Sequence, residues 1–450
     1  MPKNPIDSSQ PSDVDVSRRK FLQKSGTALA AGVALSSLGT VAASGGDPEP
    51  EGEQEPESAE ASGRPSRRPN VVFLITDQEA AVFGGGDTDY DAQYASQAAD
   101  YLKSVNPRSS RPFALFVCFA NPHDLMGYPS TWDQKSYSDI PPFEGSHNYL
   151  KDVPLCFEQG IDLPSTADEP PFGNFKPPAQ GESTIIWAAG LGTLLTQKEK
   201  LNYVNFYAFV TKESDRHIGT VLDALESNRA LRNKTLVFGL SDHGEMGLAH
   251  GGMREKAYNT YEETIHVPLV VSNPRLFPGP VRTQALASLI DLMPTVAALA
   301  GVKNQGQWTF MGRDLTPIIQ DAINHPANPT QSVQEDIYFT TDEVLGSEIV
   351  KQPAHVRCLR EMRWKVTEYF DPSGEKPSQF ELYDLVADPL ESHNMGNPEN
   401  TAYYDPTKLA EMVVKLHQRM EEVDTHTLSV AAKQRERQAR ERSSAPVGAE

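Results

Sequence analysis

Three short runs of unbroken hydrophobicity stand out along the chain, and each gives way abruptly to polar residues. Residues 70–76 end on Asp77, residues 112–120 end on Asn121-Pro-His-Asp124, and residues 236–240 end on Ser241-Asp-His-Gly-Glu245. Runs of this length and composition are those of strands buried on both faces of a parallel sheet. In an open α/β sheet, ligands bind just beyond the carboxyl ends of the strands. The pattern therefore carries Asp77, His123, Asp242 and His243 to the same edge of one sheet. An aspartate and an imidazole placed together there, beside a glycine, form a candidate metal site. A polar turn is the plainer reading of any one strand end, and the convergence of three outweighs it.

Helical spacing fills the intervals. Residues 94–104 predict a helix, and residues 196–227 carry the longest such pattern, with Tyr203, Phe206, Val210, Ile218, Val221, Leu222 and Leu225 recurring on one face. Residues 286–299 read as an apolar helix stopped by Gly301. Glu262-Glu263 lies on a polar bend before a strand at 266–271. Residues 128–182 are rich in Pro and aromatics with little periodicity, the composition of a long surface segment that shapes a substrate pocket. After Asn324 the pattern changes: residues 336–341, 355–360, 364–369 and 380–383 are short alternating segments suited to a small antiparallel sheet. An amphipathic helix follows at 409–423, and residues 433–442 are charged throughout, as in a solvated tail. The expected fold class is α/β: a large domain (69–325) with a mixed, mostly parallel sheet flanked by helices, a small C-terminal antiparallel-sheet subdomain (326–425) and a charged tail (426–450).

Charge and termini add location. The net charge of −20 argues against nucleic acid as a partner. Cys118, Cys156 and Cys358 make neither a disulfide framework nor metal-ligand spacing. Ser17-Arg-Arg-Lys-Phe-Leu22 is a twin-arginine pattern, followed by an uncharged stretch at 26–46 with small residues for cleavage at Val41-Ala-Ala43. Residues 1–45 thus read as a removed export signal, too rich in Ala, Gly and Ser for stable membrane insertion. Residues 46–68 read as an acidic disordered linker. The mature protein is expected in the periplasm or outside the cell. Nothing in the sequence sets an oligomeric state.

Several motifs, in order, resemble the type I sulfatases of the alkaline phosphatase superfamily. Arg68-Pro-Asn-Val-Val-Phe-Leu-Ile-Thr-Asp-Gln78 is similar to their opening strand, and Asn121-Pro-His-Asp124 to their mid-chain histidine motif. Ser241-Asp-His-Gly-Glu245, Glu255-Lys256 and Tyr261-Glu-Glu-Thr-Ile-His-Val-Pro268 resemble their second metal-binding stretch. Asp291-Leu-Met-Pro-Thr295, Gly312-Arg-Asp-Leu315, and Leu382-Tyr-Asp-Leu385 with Asp388-Pro389 and Asn394 resemble later landmarks. The resemblance implies an alkaline phosphatase-like large domain and hydrolysis of sulfate esters of small molecules or glycans. It implies Asp77, Asp242 and His243 as ligands of a divalent ion, Ca²⁺ foremost, with Mn²⁺ open because imidazole suits softer metals. Such an ion would polarise sulfate oxygens. Lys256 would contact those oxygens, and His123 would donate a hydrogen bond or proton to the leaving oxygen. Tyr258, Tyr261, Glu262 and His266 read as packing or supporting residues, and His250 as part of a loop over the site. Leu125 stands where the family has Pro two residues after the histidine.

One family feature is missing. Type I sulfatases carry a Cys/Ser-x-Pro-x-Arg motif between the first strand and the histidine motif, and its Cys or Ser becomes the formylglycine nucleophile. No such motif occurs here; Gln78-Glu79 runs almost directly into Phe83-Gly-Gly-Gly86, as though a segment around 79–82 were deleted. Cys118 reads as a small buried hydrophobe, Cys156 lacks the neighbouring Pro and Arg, and Cys358 lies far along the chain. Thr76 and Thr88 are poor nucleophile candidates by context. Such a deletion would leave apolar surface uncovered beside the first strand. Three readings stay open: a sulfatase without its nucleophile, a non-catalytic metal- and anion-binding protein, and a phosphodiester or phosphonate hydrolase of the same superfamily.

Overall fold

The computed structural model describes residues 68–77, 90–109, 111–129, 155–302, 309–342, 352–353, 355–371 and 375–425. The expected signal, all but the last residue of the linker, the proposed deletion point at 79–82 and the charged tail lie outside the described residues.

The chain runs β1 (Asn70–Asp77), α1 (Tyr90–Ser104), β2 (Ala114–Pro122), α2 (Pro178–Leu191), α3 (Gln197–Glu226), β3 (Thr235–Ser241), β4 (Leu269–Ser272), α4 (Leu292–Leu299) and α5 (Thr316–Asn324). It continues through β5 (Asp336–Asp342), β6 (His355–Glu361), β7 (Trp364–Phe370), β8 (Gln379–Asp384) and α6 (Pro406–Glu422). The first sheet has the order β2-β1-β3-β4, with β1 parallel to both β2 and β3 and β4 antiparallel to β3. The second sheet is antiparallel in sequence order, β5 to β8. This is the expected α/β class with its separate antiparallel sheet.

The unbroken hydrophobicity of β1 and β3 has a direct cause. Val72, Leu74 and Val237 face α1 and α3, packing on Ala95, Ala98, Leu102, Val221 and Leu225. Val71, Phe73, Leu236, Phe238 and Leu240 face the other way, against Leu292, Val296, Leu299 and Ile319 of α4 and α5. α3 starts where Thr196 and Glu199 close a reciprocal capping box. In the second sheet, Leu359, Val366 and Leu382 pack on Met412, Leu416 and Met420 of α6.

Several expectations are corrected. Cys118 is exposed, not buried. β2 ends the sheet order, so Val117 and Phe119 are buried toward α1 and α3 while Phe116, on the opposite face, is 56% exposed. The predicted helix at 286–299 begins only at Leu289, with a tighter turn (Leu289–Asp291) leading straight into α4, because the Asp291 carboxylate accepts the Ser288 amide at 2.7 Å and holds Ser288 extended. The strand expected from His266 begins only at Leu269, with a helical turn at Glu262–Ile265 before it, and Pro268 has no amide to donate to a ladder. α2 overlaps the end of the segment read as irregular (178–182) and runs on to Leu191; its apolar residues surround the axis instead of forming a stripe, which hides it from a periodicity search.

The two sheets are joined by buried polar contacts. The Glu381 carboxylate accepts bonds from Tyr383 (2.6 Å), Tyr369 (2.8 Å), Tyr261 (3.2 Å) and the Gln180 amide of α2 (3.0 Å). Lys365 of β7 donates to the Thr260 carbonyl at 2.7 Å and pairs with Glu391 and Glu262. Each buried charge thus meets a partner, which its desolvation requires.

Candidate functional site

The carboxyl ends of β1, β2 and β3 lie side by side. Thr76 is in register with Ser241, and Asp77, the last residue of β1, pairs across β2 with Pro122. The Asp242 amide and the Ser241 hydroxyl both donate to the Thr76 carbonyl, at 3.4 and 3.2 Å, and so close the gap between β1 and β3 just where the polar residues begin. The end of β2 is fixed from α1: the buried Asp91 carboxylate accepts the amides of Ala120 (2.6 Å) and Asn121 (2.9 Å). His123 then opens a single helical turn, fully buried.

Asp242 turns its carboxylate back onto the His243 amide (2.8 Å), and the His243 Nε2 atom lies 3.5 Å from the other carboxylate oxygen. His243 is buried, and neither ring nitrogen makes a hydrogen bond; the Nδ1 of His123 is in the same condition. Burial pushes the pKa of His243 far down, and the charges of Lys256 and His123 push it further. Burial lowers His123 as well, again helped by Lys256. The structure thus gathers His123, His243 and Lys256 in one electrostatic neighbourhood beside Asp242. Among the described residues, no three His, Cys, Asp or Glu side chains stand close enough together to form a metal cluster.

Lys256 arrives on a tightly wound loop. Leu248, His250, Glu255 and Tyr258 all have positive φ (70°, 50°, 64° and 63°), a conformation that costs energy for residues with a Cβ and persists only when surroundings impose it. Here the imposition is visible. The buried Glu245 carboxylate accepts the Tyr203 hydroxyl (2.7 Å), the Gly247 amide (3.2 Å) and the Glu255 amide (3.2 Å). Glu255 then holds the Lys256 ammonium at 2.9 Å. Burial and the Glu255 charge push the Glu245 carboxyl up to about 7. Glu245 and Glu255 were visible in the sequence inside the motifs, yet nothing in their spacing revealed that one carboxylate would organise the loop of the other.

The supporting residues divide. Tyr258 and Tyr261 are buried, and Glu262 is a bridge to Arg360 and Lys365, but His266 is 71% exposed and touches only the rim through Glu262. His250 belongs to a separate buried cluster with Lys176, Glu169 and Glu263, stacked on Tyr261 at 3.8 Å. Lys176 and Glu169 carry no motif and were not found from the sequence. A groove of about 1920 Å³ starts at Asp242, His243 and Lys256 and runs past the edge of β4 to β5 of the second sheet.

A mixed sheet with imidazole, carboxylate and ammonium groups at its carboxyl edge, followed by a small antiparallel sheet, defines an alkaline phosphatase-like architecture. Within that class the chain belongs to the sulfatase family, whose family model matches residues 50–302; a second model, for the C-terminal part of N-sulphoglucosamine sulphohydrolase, matches residues 251–426. It is similar to arylsulfatase K of Xenopus laevis (26% identity over 72% of this chain and 55% of the relative) and of Homo sapiens (25% identity over 68% and 52%). The chain spans about half the length of these curated relatives. Among solved structures it resembles a 2-O GAG sulfatase (TM-score 0.54, 22% identity, 75% of this chain and 64% of that one). It also resembles a phosphonate monoester hydrolase from Silicibacter pomeroyi (TM-score 0.51, 20% identity, 75% and 61%). Both likenesses establish the fold.

Proposed function

We propose that this chain carries a sulfatase-type site that binds a divalent ion and a sulfate ester of a small molecule or glycan. The observation that carries the reading is the pair of buried imidazoles, His123 and His243, with ring nitrogens that make no hydrogen bond, beside Asp242 and Lys256. Buried polar atoms without partners are rare, and three imidazole nitrogens in this condition on two adjacent histidines suit a site that takes an ion. Neutral imidazole and carboxylate fit a divalent ion, with Asp77, Asp242 and His243 as its ligands. When bound, that ion supplies charge to polarise the sulfate group. Lys256, held by Glu255, orients the sulfate oxygens. His123 faces the bridging oxygen and provides its hydrogen bond.

The sequence offers no Cys/Ser-x-Pro-x-Arg nucleophile, so a covalent intermediate is not expected and hydrolysis by this chain is expected to be slow. Metal and anion binding without turnover is the second reading, and the missing motif favours it. Export by the twin-arginine route belongs to the proposal too, and amino-terminal sequencing of the secreted protein would check cleavage near Ala43.

The test incubates the protein with a chromogenic aryl sulfate and Ca²⁺ or Mn²⁺, beside Asp242→Ala. Metal-dependent thermal stabilisation that disappears in the variant supports the site. Turnover that disappears with it shows a nucleophile other than a Cys/Ser-x-Pro-x-Arg residue. Absence of both sinks the proposal. A phosphonate monoester in parallel separates the sulfate reading from the phosphonate one.

A further inference from the structure

The groove that begins at Asp242, His243 and Lys256 is larger than the roughly 300–1,000 Å³ of an ordinary small-molecule pocket. Its walls are unusual for a site that takes an anion. Three large apolar side chains from separate elements line it while remaining half in solvent: Ile290 (53% exposed) before α4, Met311 (52%) before α5 and Met362 (50%) in the β6–β7 turn. Exposed apolar groups that converge on one concave surface mark a binding groove. Thioether side chains are suited to irregular apolar ligands.

Charge points the same way. The cations along the groove are Arg216, Arg232, Lys256 and Arg360. Each already faces a carboxylate: Glu213 at 2.8 Å, Glu226 at 2.7 Å, Glu255 at 2.9 Å and Glu262 at 3.1 Å. The carboxylates lining the same groove are Asp215, Asp223, Glu226, Asp242, Glu262 and Asp342, six against four cations. A chain of sulfated sugars needs a row of cations along its length; even with a divalent ion at Asp242 and His243 the lining carboxylates balance the cations, so away from that end the groove offers no positive row. A single sulfate has its place at Lys256 beside the proposed ion, and beyond it Ile290, Met311 and Met362 add apolar surface to walls whose cations are already paired.

We propose that the groove selects a monosulfate ester with a bulky apolar body, of steroid size and character, over a polysulfated glycan. This rests on the sulfate site proposed above. The sulfate sits at Lys256, and the apolar body lies along the groove toward Ile290, Met311 and Met362. Burial of that body against the groove supplies the affinity that a lone anion lacks.

Isothermal titration of the full chain with Ca²⁺ present tests this, using a steroid 3-sulfate, inorganic sulfate and a disulfated uronate–glucosamine disaccharide. The steroid sulfate is expected to bind at least about tenfold more tightly than either of the others. Ile290→Glu and Met362→Glu, both at half-exposed positions, are expected to remove most of that advantage while leaving inorganic sulfate binding and the melting temperature unchanged. Equal or tighter binding of the disaccharide overturns the inference, as does an advantage that survives both carboxylate variants. If inorganic sulfate binds and the steroid body adds nothing, the groove inference falls and the sulfate site stands. If neither sulfate nor steroid sulfate is held, the site itself falls and takes the inference with it.

Discussion

Lys176 Nζ lies 2.9 Å from His250 Nδ1 inside the protein, although both groups are able to carry positive charge. Two carboxylates make this tolerable. Glu169 lies 2.7 Å from the ammonium and 3.2 Å from the same imidazole nitrogen, and Glu263 lies 3.6 Å from the other nitrogen. Burial alone would lower His250, but Glu169 and Glu263 outweigh it and raise it.

Burial acts to raise Glu169 also, yet its bonds from His250 and Lys176 win and hold it down to about 2, from 4.5. A carboxyl with a depressed folded-state pKa contributes stability that is present above its unfolded value and lost as pH falls through the folded one. Urea unfolding followed across pH is therefore expected to show stability declining between 4.5 and about 2. Glu169→Gln is expected to lose about 1–3 kcal/mol at pH 7 and to flatten this acid limb. An acid limb identical in the variant would refute the assignment.

Tyr203→Phe removes one donor from the buried Glu245 carboxylate that shapes the Lys256 loop. Leaving a buried acceptor short of a partner costs about 1–3 kcal/mol. The expected result is that loss in equilibrium unfolding, together with weaker sulfate binding because the Glu245 carboxylate that anchors the Glu255 amide is held less firmly. Unchanged sulfate affinity would show that the loop holds its shape without this bond.

Gly312 lies where any Cβ would collide with the carbonyl of Ile290. Next to it, the Arg313 amide donates to Asp291 at 2.6 Å and the Leu315 amide to Thr295 at 2.9 Å. Gly312→Ala must push these segments apart, at about 1–3 kcal/mol. A thermal melt reads this directly, and a variant as stable as the parent would contradict the close approach.

On the proposed metal site, His243→Asn exchanges an imidazole for an oxygen donor. Mn²⁺ affinity is expected to fall by about tenfold or more and Ca²⁺ affinity by much less. Competitive metal titration distinguishes this from a fall that is equal for both ions, which would mean that His243 only packs.

Much of the fold was legible because local pattern and tertiary role agree. β1 and β3 are covered on both faces, so they read as continuous apolar runs, and β5 to β8 alternate because one face packs on α6. The later motifs also have a physical meaning: Asn394 receives the Leu382 amide at 3.1 Å and donates to the carbonyls of Phe175 and Phe380. What failed depends on neighbours that no local window contains. Cys118 looked buried because its strand is apolar, but its exposure depends on the strand's place at the end of the sheet. Lys176 and Glu169 meet His250 from about 80 residues away, and only the folded chain puts them together. At the site, strand ends predicted the gathering of His123 and His243, whereas the carboxylate scaffold under Lys256 arose from loop geometry.

The hydroxyl of Tyr261, five residues beyond Lys256, is held by Glu381 in the second sheet and by Gln180 in α2. The loop that presents the lysine is therefore assembled partly from the carboxyl-terminal part of the chain. A fragment ending before β5 would carry the lysine without the Glu381 contact that helps hold its loop.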